Sequence, residues 1–151
     1  MNNEDYVSYE LAKKLKECGF DEPCNYGYSV KMRLEPEVSF GKPKMVHSKA
    51  PKNYNDNRKG IEKGLSFCSA PTLAHAQKWL REPKGIAISI IAHDGGLYHS
   101  ERIILPNCMI PESREWYVET TTPMVDSYES ALVAGIDSAL KLLDNPKRMT
   151  I

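Results

Sequence analysis

The sequence predicts an α+β fold: three helices and an antiparallel sheet of about four strands, in the order α-β-loop-α-β-β-β-α, within a single domain spanning 1–151. Three observations carry this. Apolar residues recur at spacings of 3 and 4 in three segments, they alternate or run continuously in the strand segments, and the strand-like stretches between 86 and 121 follow one another without the helical crossover that parallel pairing needs. A length of 151 residues, with 41% hydrophobic and 26% charged side chains, matches one ordinary globular core.

Ser8 is placed to cap a first helix over 9–18, whose apolar positions are Leu11, Leu15 and Cys18 and which Gly19 ends. Tyr26, Tyr28, Val30, Met32 and Leu34 then alternate as one face of a strand over 25–35, the other face being wet. Val38 and Phe40 continue the alternation past Pro36, enough for a short hairpin partner. Thr72 caps a second helix carrying Leu73, Ala76, Trp79 and Leu80, which stops at Pro83. Ile86–Ile91 and Leu97–Leu105 flank Asp94-Gly95-Gly96 and read as a hairpin, followed by a strand over 114–121 with Trp116 and Val118 on one face. Asp126 with Glu129 forms a capping box for the last helix, whose stripe is Tyr128, Ala131, Leu132, Gly135, Ile136, Ala139, Leu140 and Leu143. Gly135 within that stripe implies close approach to a neighbouring element.

Net charge is zero, but it is unevenly spread: residues 1–40 carry −3, 41–63 carry +5 and 64–151 carry −2. The basic segment also holds two prolines, three asparagines and two glycines, so it reads as an exposed, mobile loop at 41–64. Lys42, Lys44, Lys49, Lys52, Arg58, Lys59 and Lys63 could grip phosphates there, with Tyr54 stacking a base.

No stretch approaches the roughly 20 apolar residues of a membrane span, and the first ten residues lack a basic n-region, so a soluble, cytoplasmic protein without membrane association is expected. Cys18, Cys24, Cys68 and Cys108 form no C-x-x-C pair and should remain thiols. None of the phosphate-cradling glycine loops, zinc-binding helices or nucleophile elbows occurs, so no catalytic residue, cofactor or metal is assigned. His93, Asp94 and His99 have the residue types of a metal cluster, but a two-residue turn at Asp94-Gly95 or Gly95-Gly96 sets the imidazoles on opposite faces of the hairpin. Only an odd-length loop brings them together. Cys68 and Cys108 lie in apolar runs and read as small buried hydrophobes.

The segments YVSYELAKKLKECGFDEPC, APTLAHAQKWLREPKGIAISI and SYESALVAGIDSALKLL together resemble a group of short uncharacterised proteins of tailed phages and integrated elements of gut Bacteroidales. The resemblance implies a shared fold and a mobile-element origin, and carries over no site residue. Residues 72–143 also resemble the double-stranded-RNA-binding domain in topology alone, because Asp126-Ser127-Tyr128-Glu129 stands where that family has a lysine cluster. The expected function is therefore that of a non-enzymatic accessory protein that binds a macromolecular partner, with homo-oligomers forming through an exposed sheet edge. The alternatives are nucleic-acid binding through the loop at 42–63, or a small enzyme whose site no motif reveals.

Overall fold

The computed structural model describes residues 5–34, 37–56, 64–105, 117–120 and 123–144. The chain forms two compact units, Tyr6–Thr72 and, with Met1–Asp5, Leu73–Ile151. The first contains α1 (Tyr9–Glu17), β1 (Cys24–Leu34), β2 (Glu37–Lys52) and β3 (Leu65–Ser69). The second contains α2 (Leu73–Arg81), β4 (Ile86–His93), β5 (Leu97–Ile104), β6 (Tyr117–Thr120) and α3 (Tyr128–Asp144). No helix among the described residues is long and apolar enough to cross a membrane.

Among the described residues the α+β class, three helices and their order match the sequence, whereas the expected single sheet is replaced by two three-stranded antiparallel sheets, β2-β1-β3 and β4-β5-β6. The strand expected at 25–35 does not join the hairpin. β2 and β3 already occupy both of its edges, so its backbone groups are satisfied inside the first unit.

The basic segment supplies the largest correction. Residues 41–52 belong to β2 and not to a loop, and 57–63 lie outside the described residues. Lysines and prolines hid the strand, because β2 is the outer strand of its sheet and pairs with β1 irregularly. Ser29 faces Lys44 and Lys31 faces Phe40, leaving 41–43 opposite Val30 alone. Tyr26 faces His47 and Cys24 faces Lys52, leaving 48–51 opposite Asn25, whose Nδ2 donates to the Ser48 and Lys49 carbonyls at 3.0 and 3.2 Å. Pro43 and Pro51 both fall in these unpaired stretches, where a missing N–H costs no ladder bond.

In the first unit the Ser8 hydroxyl accepts from Leu11 N at 3.2 Å, and Gly19, at φ +88°, ends α1 beyond Cys18. Leu11, Ala12 and Leu15 are buried with Val7, Phe20, Val30 and Cys68. The Tyr28 hydroxyl donates to the Val7 carbonyl at 2.7 Å, and Tyr9 packs edge-on to Tyr28. α1 therefore covers the face of the sheet that carries Tyr28, Val30 and Cys68.

In the second unit Ile86, Ile88, Ser100 and Ile104 are buried beneath the helices, together with Ala131, Leu132, Ile136, Ala139 and Leu140 of α3. Tyr128, expected on the same stripe, is 44% exposed because it starts the helix, and Leu142 is buried in place of Leu143. Ser127, one residue after the expected cap, accepts from Ser130 N at 3.0 Å. A Cβ on Gly135 would stand 2.6 Å from Ile88 Cγ2 and 3.0 Å from Ser100 Oγ, so the missing side chain is what lets α3 lie against β4 and β5. Arg102 completes the seat, donating to the carbonyl and hydroxyl of Ser138 at 3.2 and 2.9 Å.

Candidate functional site

The face of the first sheet opposite α1 carries the alternate residues of β1: Gly27, Ser29, Lys31 and Arg33. The two ends of this face, at Gly27 and at Lys31 with Arg33, behave differently. At Gly27 a Cβ would lie 2.6 and 2.7 Å from Tyr54 Cγ and Cδ1, so the glycine is the floor on which the Tyr54 ring rests. The Tyr54 hydroxyl donates to the Asn25 carbonyl at 3.2 Å, its N–H donates to Ser69 Oγ at 3.0 Å, and the residue is 2% exposed. Tyr54 is core. Its expected role in stacking a base is thus overturned, because the absence of a side chain at Gly27 draws the ring onto the sheet.

Beyond Tyr54 the face stays open. Ser29, Lys31, Phe40, Gly41, Lys42, Lys44 and Leu65 line a cleft of about 510 Å³. Phe40 is 44% exposed and Val38 50% exposed, and the Arg33 guanidinium sits 5.5 Å from the Phe40 ring centroid. Lys31, Arg33, Lys42 and Lys44 are all exposed around this ring, so four cations surround one accessible aromatic side chain. An exposed ring can stack against a planar group, and ammonium and guanidinium groups can pair with anions.

The residues expected to bind phosphate therefore divide. Lys42 and Lys44 reach the cleft. Lys49 is exposed in the second irregular stretch of β2, and Lys52 lies with its ammonium 4.7 Å from the Tyr54 ring centroid. Arg58, Lys59 and Lys63 lie outside the described residues. Sequence reasoning missed Lys31, Arg33 and Phe40, although the signal was present. The alternation that made Tyr28, Val30 and Met32 one face made Lys31 and Arg33 the other.

Cys24 and Cys68 are not poised for nucleophilic work, and Cys108 lies outside the described residues. Burial pushes the Cys68 thiol up to about 11, against the opposing pull of Lys16, and burial with the Glu22 charge raises Cys24 to about 11 as well. Cys24 and Cys68 are free thiols.

The histidines of the second unit depart from expectation. His93 pairs with Leu97 and Ile91 with His99, so the turn contains three residues, Asp94-Gly95-Gly96, with Gly95 and Gly96 at φ +79° and +74°. The odd count puts His93 and His99 on one face, the face turned away from Ser100 and Ile104. Their ring centroids are 4.7 Å apart, and His99 Nε2 lies 3.2 Å from Glu101 Oε1. Comparison with protein-family models, with curated proteins and with solved structures gives no match to this chain.

Proposed function

We propose that the chain is a non-enzymatic accessory protein of the cytoplasm that binds single-stranded nucleic acid along the open face of β1 and β2. The observation that carries this is the exposed Phe40 ring ringed by Lys31, Arg33, Lys42 and Lys44. Stacking needs a base whose face is free, which a duplex does not offer, so the partner is single-stranded. With zero net charge on the whole protein, attraction comes from this local cluster and not from long-range steering. The reading gives a partner class to the accessory role implied by the resemblance to phage and integrated-element proteins.

Fluorescence anisotropy with a labelled oligothymidine tests it. Four phosphate contacts give a log–log salt slope of about −3 for a single strand. Changing Lys31, Lys42 and Lys44 together to alanine should reduce that slope to about −1 and abolish binding at physiological salt. Absence of binding at low salt, or a slope unchanged in the triple variant, refutes the proposal.

A further inference from the structure

The geometry points to a second site, on the other unit: His93 and His99 bind a divalent transition-metal ion of the kind that imidazoles prefer, zinc foremost, with Glu101 fixing His99 in the ligating tautomer.

The three-residue turn sets the two histidines diagonally across the β4–β5 ladder, on the face that the helices leave uncovered in this unit. His93 Nε2 approaches His99 Nδ1 to 2.5 Å. An ionised carboxylate only accepts, so the contact with Glu101 Oε1 at 3.2 Å places the proton of His99 on Nε2. Its Nδ1 is then left with a lone pair directed at His93. This is the arrangement by which a carboxylate orients a metal-bound imidazole: proton on the outer nitrogen, lone pair on the inner one. The second imidazole brings its Nε2 to the same point.

Two zinc–nitrogen bonds of about 2.05 Å at a tetrahedral angle hold their nitrogens about 3.3 Å apart. Opening the pair by less than about 1 Å, through small rotations of the rings, creates that span. Among the described residues no set of three His, Cys, Asp or Glu side chains converges. Water would therefore complete the shell, which makes this an open site suited to an exchangeable ligand and not a closed structural one. The His99 side chain is 14% exposed and that of Glu101 29%, so the ion would be reached from solvent on one side only.

The test titrates zinc chloride into the full chain while the imidazole ring signals are followed by NMR. The His93 and His99 signals should move together and saturate at one equivalent, with those of His47 and His75 unmoved. By calorimetry, His93→Ala and His99→Ala should each weaken zinc binding at least tenfold, Glu101→Gln about tenfold, and His47→Ala not at all. Ring signals of His93 and His99 that stay fixed in excess zinc overturn the proposal, and they do so in the unmodified protein, without reliance on any variant folding. Undiminished zinc affinity in the His93→Ala/His99→Ala double variant overturns it equally.

Discussion

Adding one methyl group at Gly27 should unseat the Tyr54 ring. The new Cβ would lie 2.6 and 2.7 Å from two ring carbons and 2.9 Å from the Cys68 carbonyl oxygen, all closer than real Cβ contacts come. The carbonyl belongs to β3, paired directly with β1, so it cannot retreat without breaking the ladder, and the ring must move instead. Overpacking of this kind costs about 3 kcal/mol at the upper end of its usual range. Alanine regains about 0.5–1 kcal/mol by restricting the unfolded chain. The net loss is about 2 kcal/mol, which for a chain of 151 residues lowers the melting temperature by about 4–8 °C. Thermal unfolding followed by far-ultraviolet circular dichroism measures it. A double-mutant cycle isolates the cause: in a Tyr54→Ala background, Gly27→Ala should cost markedly less, because only the contact with the Cys68 carbonyl remains. Wild-type stability in Gly27→Ala, or an equal cost in both backgrounds, would show that the ring does not rest on the glycine.

Leu132→Asp or Ile136→Asp should unfold the second unit, because each side chain is at most 5% exposed and an unpaired charge there costs several kcal/mol; a retained wild-type melting temperature would contradict the core assignment. Cys24 and Cys68 should resist a thiol reagent at pH 8 while folded and react on denaturation. Their folded values of about 11 lie above the ordinary 9.0, so the folded state holds its protons longer; the contribution of these thiols to stability is fully present below pH 9 and is lost as pH rises toward 11, and Cys68→Ala should flatten that fall. Phe40→Ala should weaken oligonucleotide binding by about 1–3 kcal/mol with the salt slope unchanged, since stacking and not charge is lost. A changed slope would mean that Phe40 acts only by positioning the lysines.

The helices were legible because their signals are local. Ser8, Gly19 and the 3–4 spacing of Leu11 and Leu15 act within a few residues of one another, and Gly135 announced a close contact that Ile88 and Ser100 supply. The sheets were harder. β2 is an outer strand with two irregular stretches, so neither a buried face nor strict alternation marks 41–52, and its lysines read as a loop. The site was half legible for the same reason. Lys42 and Lys44 were in view, but their neighbours Lys31 and Arg33 come from another strand, and that juxtaposition depends on pairing that sequence spacing does not encode. The histidine pair turned on one residue of turn length: two residues would have parted His93 and His99, and three join them.

The construction of β2 also bears on how the protein behaves in a crowd of its own copies. A sixteen-residue outer strand is ordinarily an invitation to edge-on growth, one chain adding its backbone to the next. Here Pro43 and Pro51 interrupt the donor row, each inside a stretch that bends away from regular pairing, and Lys42, Lys44, Lys49 and Lys52 space like charges along the same strand. An incoming strand would meet gaps where it needs N–H groups and repulsion where it needs a flat neighbour. The lysines to which the proposed function assigns a polyanion thus also guard the rim of the sheet, and they oppose self-assembly through β2.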